Sequence, residues 1–241
     1  MMNILTNDTD PLGAAVNDYY NTSQDENIVV RSDIAADDSI AVSYLFRNEA
    51  NMPELEQSAL KLCKGKILDI GAAAGCHSLV LQEKGLDVTA LEISQLSCSV
   101  MQKRGIRKVI CNDFFRFKGD NYDTLLMLMN GIGIAGTLTG LDELLKKARS
   151  LLTSNGQILF DSSDIEYLYI EEDGSKWINL NSEYYGELMY TMHYKSIQGK
   201  SFPWLFIDFE TLVPIAQKNG FEPQLFAIGD HYDYLGILRK I

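Results

Sequence analysis

Several absences narrow what this chain can be. Its 241 residues contain no apolar run of the roughly 18 residues that a membrane-spanning helix needs. The first ten residues, MMNILTNDTD, have no basic region followed by an apolar one, so no secretory leader is expected. Four cysteines (Cys63, Cys76, Cys98 and Cys111) are too sparse for a disulfide framework, and no CxxC spacing offers a zinc site. The expectation is a cytoplasmic protein with reduced thiols and no bound metal. Positive charge is scarce as well, with 21 Lys and Arg against 33 Asp and Glu for a net charge of −12. Phosphate backbones are bound by clustered Lys and Arg, so nucleic acid is excluded as a partner. Internal repeats and low-complexity tracts are also missing.

What is present is enough apolar sequence, 46% of residues, for one sizeable core. From about residue 65 apolar strands alternate with amphipathic helices. Strands are predicted at 66–70, 87–91, 108–111, 122–129 and 157–161. Helices are predicted at 76–84, 94–104 and 141–152, with Ser94 as an N-cap and glycines 85 and 105 as stops. In the last of these helices Leu141, Leu144, Leu145 and Ala148 share one face. Residues 209–218 read as a late helix bent by Pro214, followed by two strands at 224–228 and 234–238. Their polar connection is so short that they form an antiparallel hairpin. This order implies an open, mostly parallel, doubly wound α/β sheet.

Two regions fall outside that core. Residues 1–60 are predicted to hold helices near 11–21, 36–48 and 53–63. They carry eleven of the acids and only Arg31 and Arg47 as bases. That acidity is either the solvated face of surface helices or a lid that attracts a cationic ligand. Residues 163–207 form an aromatic insert with strands at 186–197 and 202–207. It contains Tyr184, Tyr185, Trp177 and Trp204.

The stretch LDIGAAAG, residues 68–75, follows the first strand of the alternating region. Ligands of open α/β sheets bind beyond the carboxyl ends of the strands. Glycine and alanine there let a ligand approach the backbone, and the following helix offers free N–H groups to an anion. The loop is not a phosphate-binding P-loop, because no Gly-Lys-Ser/Thr ends it. It also departs from the dinucleotide fingerprint GxGxxG, since Ala73 and Cys76 replace the second and third glycines. Gly71, Ala73 and Gly75 instead form a DxGxGxG-type loop after Asp69.

With this loop, the acid Glu92 in ALEIS, the run CNDFF at 111–115, YDTLLMLMNGIG at 122–133 and the closing hairpin, the chain resembles the class I S-adenosylmethionine-dependent methyltransferases. The resemblance spans residues 60–162 and 208–241. It implies a Rossmann-like methyltransferase fold: a doubly wound, mostly parallel seven-stranded sheet ending in an antiparallel hairpin, here with N-terminal helices and a β-rich insert. It implies S-adenosyl-L-methionine as cofactor and S-adenosyl-L-homocysteine as product. The implied cofactor residues are Asp69, Gly71, Ala72, Ala73, Gly75, Glu92, Ile93, Asn112, Asp113, Phe114 and Asn130. Within that set, Glu92 would accept the ribose hydroxyls, Asp113 the adenine amine, and Phe114 would cover the adenine face. Asp69 would contact the amino group or hold the loop. His77 is expected to face solvent or cap its helix rather than touch the cofactor.

The acceptor side is less marked. Methyl transfer needs alignment first, and a base only if the acceptor must lose a proton. Family members acting on amines of DNA bases carry Asn/Asp-Pro-Pro-aromatic after the fourth strand; Asn130-Gly131-Ile132-Gly133 stands there instead. The catalytic candidates are His193, Asp161 and Asn130, each with a structural alternative. Asp164 is a second acid after the fifth strand. Residues 131–140 are either a mobile loop over the site or a long connector. Tyr184, Tyr185 and Trp204 either enclose an apolar or cationic substrate or form a satellite core. The expected arrangement is an N-terminal helical lid (1–60), a cofactor-binding core (61–241) and a substrate-side insert (163–207). The expected partner is a small-molecule methyl acceptor, with no membrane or nucleic acid, and the chain a monomer or homodimer. A non-catalytic cofactor-binding module and a dinucleotide-dependent oxidoreductase remain as alternatives.

Overall fold

The computed structural model describes residues 5, 7–119, 121–170, 173, 175 and 184–241. Trp177 lies outside the described residues. The chain begins with α1 (Pro11–Thr22), whose N-cap Asp10 accepts the Gly13 amide at 2.8 Å. Two short strands follow, β1 (Asn27–Ser32) and β2 (Asp38–Ala41), then 3-10 turns at Val42–Phe46 and Glu49–Asn51, and α2 (Glu54–Leu62). The helix expected over 36–48 is therefore replaced by a strand and a 3-10 turn. β2 pairs antiparallel with β1 from Asn27↔Ala41 to Val30↔Asp38, and that ladder, together with the β-branched Val29 and Val30, outweighs local helix propensity.

The alternating region then runs β3 (Lys66–Ile70), α3 (Cys76–Glu83), β4 (Asp87–Glu92), α4 (Gln95–Lys103), β5 (Val109–Cys111) and β6 (Tyr122–Met127). It continues with a 3-10 turn at Gly131–Ala135, α5 (Leu138–Leu151) and β7 (Leu152–Ser163). Ser94 caps α4 by accepting the Ser97 amide, as its position predicts. α5 begins three residues earlier than its apolar pattern suggests, because Thr137 accepts the Gly140 amide and caps it. The turn at Asn155-Gly156 is absorbed into β7 as an irregularity. Its ladder with β6 steps from Tyr122↔Leu152 to Thr124↔Gln157.

Beyond β7 come β8 (Glu187–Tyr194), β9 (Ile197–Gln198), β10 (Phe202–Leu205), α6 (Phe209–Lys218), β11 (Phe221–Ile228) and β12 (Asp233–Lys240). The main sheet has seven strands in the order β11-β12-β7-β6-β3-β4-β5. β12 is antiparallel to both β7 and β11, and the pairs β6–β7, β3–β6, β3–β4 and β4–β5 are parallel. This is the expected Rossmann-like methyltransferase topology with its closing hairpin.

Helices cover both faces of that sheet. On one, Leu141, Leu144, Leu145 and Ala148 of α5 are fully buried with Leu212 and Ala216 of α6. On the other, Leu55, Ala59 and Leu60 of α2 pack with Val80 and Leu81 of α3. Each fully buried leucine contributes roughly 2 kcal/mol of transfer free energy. A second sheet, ordered β10-β8-β1-β2 with β9 on β8, joins the insert to the N-terminal region through Val29↔His193 and Arg31↔Thr191. The sequence pattern shows both pieces but not their pairing. α1 packs against this sheet through Ala15, Val16 and Tyr194.

Candidate active site

The carboxyl ends of β3, β4, β5, β6 and β7 share one edge of the main sheet. At the end of β3, Gly71 has φ +73°, is exposed, and a side chain there would meet nothing within 4 Å. The backbone is thus open to whatever lies above it. Gly75 (φ +82°) serves a different purpose, since a Cβ there would lie 2.2 Å from the Ile106 side chain. It lets α3 start close to α4 and leaves the first amides of α3 without a side-chain cap. Ala72 is buried among α4 residues, and Ala73 takes a left-handed φ of +49°.

Glu92 ends β4 almost fully buried. Its Oε2 accepts the Ala73 amide at 2.8 Å, and its Oε1 accepts the amides of Ile93 at 2.7 Å and Ser94 at 2.9 Å. Burial pushes its carboxyl up, against the pull of those three amides. A carboxylate has about four acceptor positions, so one remains for a ribose hydroxyl rather than two. Glu92 therefore also fixes the cofactor loop. Asn112 continues the edge by donating its amide to the Glu92 carbonyl at 2.9 Å.

Asp113 is buried. Its Oδ1 accepts the Phe115 amide at 2.8 Å, while Oδ2 is buried with no partner among the described residues. A buried, unsatisfied acceptor costs about 1–3 kcal/mol unless a donor reaches it, and an amine on a bound adenine is such a donor. Phe114 is buried beside it and packs edge-on against Phe115 at 5.4 Å. The open backbone at Gly71, the spare acceptor position on Glu92 and the orphaned oxygen of Asp113 together fit a nucleoside cofactor with an amino-acid tail.

Asp69 is buried and accepts the Ser78 hydroxyl at 2.6 Å, which ties β3 to α3. Burial raises its carboxyl despite His77 and that hydroxyl. His77 differs from expectation. It is buried with its Nε2 2.9 Å from Glu56 Oε2, and the same carboxylate takes the Arg47 guanidinium. Burial works against a charged imidazole there, but hydrogen bonds to Cys76 and Glu56 and the charges of Cys76 and Asp69 raise it to about 10. Burial likewise opposes the Glu56 carboxylate, but His77 and Arg47 hold it below its ordinary value. The sequence reading missed this cluster. Its signal is an acid at position 56 within the apolar face Leu55, Ala59 and Leu60 of α2.

Asn130 follows β6 in a left-handed conformation, φ +53°. Its amide donates to Asp161 Oδ1 at 3.0 Å and its Nδ2 donates to the Leu205 carbonyl at 3.1 Å. Its Oδ1 is buried with no partner among the described residues. Asn130 and Asp161 line a cavity of about 260 Å³. The other walls include Tyr44, Leu55 and Glu56 from the N-terminal region, and Met129, Ser163 and Asp233 from the core. Burial pushes the Asp161 carboxyl up to about 7, with the Asn130 amide pulling the other way and Glu56 reinforcing the rise.

The structure does not bring His193 to this cavity. It sits on β8 with Met189 and Thr191 on the strand face opposite Leu188 and Tyr194, which are buried. Asp164 accepts the Glu166 amide and the Tyr185 hydroxyl. Tyr184 is buried, and its hydroxyl lies 2.5 Å from Asp208 Oδ2. Residues 131–135 form a 3-10 turn packed on Trp204, so this stretch is an ordered connector. His231 is exposed in the hairpin turn.

No protein-family model and no curated protein sequence matches the chain. Solved structures do. A methyltransferase dependent on S-adenosylmethionine from Bacteroides fragilis, in complex with S-adenosyl-L-homocysteine, is 43% identical over 99% of this chain and 98% of its own, with a TM-score of 0.92. The CcbJ methyltransferase from Streptomyces caelestis superposes with a TM-score of 0.61 at 15% identity, over 81% of this chain and 99% of its own. An amino pentose methyltransferase from Micromonospora echinaspora, with S-adenosylmethionine bound, gives a TM-score of 0.54 at 12% identity over 80% and 94%. The last two show likeness of fold.

Proposed function

We propose that this chain, which belongs to the S-adenosylmethionine-dependent methyltransferases, transfers a methyl group to an O, N or C atom of a small molecule held in the Asp161 cavity. The oxidoreductase alternative gives way to that family membership. When bound, the cofactor supplies a methyl group already activated by its sulfonium. The chain's own contribution is alignment, exclusion of water and handling of any acceptor proton. In our reading Gly71, Ala72, Ala73, Gly75 and the first amides of α3 receive the methionine portion, Glu92 with Ile93 the ribose, and Asn112, Asp113 and Phe114 the adenine. Asp69 acts through Ser78 by holding α3 against β3.

The observation that carries the small-molecule reading is the cavity of about 260 Å³ beside Asn130. One wall comes from the N-terminal region and the other from the ends of β6 and β7, and a space of that size suits a small acceptor better than a macromolecule. Residues 1–60 act as the lid and 163–207 as a substrate-side insert, and the β1–β8 ladder supports treating them as one cover. The four unpaired cysteines support a cytoplasmic setting. Among the described residues no helix is long and apolar enough to cross a membrane.

The test is calorimetric titration with S-adenosyl-L-homocysteine and NAD, followed by incubation of the protein with a metabolite extract and labelled methyl donor. We expect the thioether to bind, NAD not to, and the label to appear in a low-mass product. Label confined to macromolecules would overturn the small-molecule reading. Cofactor binding with no labelled product from any extract would favour a non-catalytic module.

A further inference from the structure

We infer that the acceptor is a small primary or secondary amine, bound as its ammonium ion by Asp161 and Asp233 and deprotonated by Asp161 before it is methylated. This rests on the reading of the Asp161 cavity as the acceptor site.

Charge is the first argument. Among the described residues the cavity is lined by three carboxylates, Glu56, Asp161 and Asp233, and by no Lys, Arg or His. Glu56 is bound by both Arg47 and the raised His77, so that cluster supplies no negative charge to the cavity. Asp161 and Asp233 have no ion-pair partner among the described residues, so the negative charge that faces the cavity comes from these two. Such a site penalises an anionic acceptor and offers a neutral alcohol little beyond hydrogen bonds, but it recruits a cation.

Unused acceptors are the second argument. Asp161 Oδ1 takes the Asn130 amide, and no hydrogen bond reaches its other oxygen among the described residues. Asn130 Oδ1 is buried and orphaned, since its Nδ2 is committed to the Leu205 carbonyl. Beside the hydroxyls of Tyr44 and Ser163, the Asp161 side of the cavity offers acceptors only, which suits a ligand rich in donors. An ammonium carries only donors, whereas a hydroxyl brings one donor and two lone pairs that would face these oxygens.

The chemistry follows. An ammonium has no lone pair and cannot attack carbon. The Asp161 carboxylate takes one N–H proton, leaving the neutral amine and a carboxylic acid. Burial that brings Asp161 to about 7 makes it a better proton acceptor than an ordinary aspartate. The amine lone pair then forms the N–C bond to the methyl carbon of the sulfonium as the C–S bond breaks, its electron pair passing to sulfur. The products are an N-methylammonium ion and a neutral thioether, and Asp161 returns its proton to solvent.

The experiment uses the full chain saturated with S-adenosyl-L-homocysteine and an isosteric probe pair, cyclohexylamine and cyclohexanol, titrated by ligand-observed NMR at neutral pH. The amine should bind at least about tenfold more tightly than the alcohol, as a charge-assisted contact requires. Asp161→Asn should bring the pair to within about threefold, and Asp233→Asn should lower the preference by about threefold. Thioether affinity of each variant checks that it is folded; if Asp161→Asn fails that check, Asp233→Asn alone decides. Equal affinities, no amine binding, or a preference indifferent to the folded variants would overturn the inference. Thioether binding that persists in those cases leaves the methyltransferase reading standing, whereas its absence from the unaltered protein would sink that reading instead.

Discussion

The Glu56 carboxylate receives both the His77 imidazole, at 2.9 Å, and the Arg47 guanidinium, with all three side chains buried. The cluster fastens α2 and the preceding 3-10 turns to the first turn of α3, directly behind the cofactor loop. Replacing Glu56 by Gln leaves two buried cations without a counter-charge. We expect a stability loss of about 3 kcal/mol, read as a lower urea midpoint. Glu56→Gln together with His77→Gln should recover part of that loss, since fewer charges are stranded.

The same cluster sets a pH profile. His77 is raised from 6.5 to about 10, so its contribution is complete below 6.5 and is lost as the pH climbs towards 10. Glu56 is depressed, so its contribution is present above 4.5 and is lost on acidification. Asp161, raised from 3.8 to about 7, favours the folded state when protonated, and that contribution fades between those values. Stability should therefore decline from mildly acidic to alkaline pH. Denaturant midpoints across the range check this. Asp161→Asn should flatten the slope below about 7 and leave the decline above it.

Glu92→Ala removes the acceptor of three backbone amides as well as the ribose contact we propose. We expect S-adenosyl-L-homocysteine affinity to fall by at least about tenfold in a chain that still folds. Glu92→Gln keeps an acceptor oxygen for the Ala73 amide and should lose less. An unchanged dissociation constant for Glu92→Ala would remove it from the cofactor site.

Asp113→Asn separates the two oxygens of that carboxyl. One can still accept the Phe115 amide, while the orphaned Oδ2 position becomes an amino group that repels an adenine amine. Cofactor affinity should drop by about fivefold with the thermal midpoint little changed, because one buried unsatisfied polar group takes the place of another. Differential scanning fluorimetry with and without the thioether reads both effects.

At Gly133 a Cβ would come within 2.5 Å of the Trp204 ring and 2.8 Å of the Leu205 carbonyl. Gly133→Ala should cost about 2 kcal/mol by prising β10 from the connector after β6. Because Asn130 holds the Leu205 carbonyl through the same contact, acceptor binding should weaken more than cofactor binding.

The elements around residues 66–94 are legible in the sequence because local rules govern them. The strand pattern at 66–70, the small residues 71–75, the acid at 92 and the capping serine at 94 all act within a few residues of themselves. The acceptor half was less so. Its cavity wall is assembled from Tyr44, Glu56, Asn130, Asp161 and Asp233, which no local period connects. Position 193 attracted attention as a histidine in an alternating strand, but alternation alone does not say which face meets the site. The helix expected over 36–48 shows the same limit, because it was overruled by a partner strand ten residues earlier and, through it, by the insert.

The ladder between β1 and β8 has a consequence for how the protein is made. β1 leaves the ribosome when most of the chain has still to be translated, and its partner at 187–194 arrives only after the whole methyl-donor half of the main sheet has emerged. Throughout that interval the Asn27–Ala41 hairpin presents an open edge on which another nascent chain can pair. Translation order therefore releases β3 to β7 of the main sheet before the second sheet can be completed.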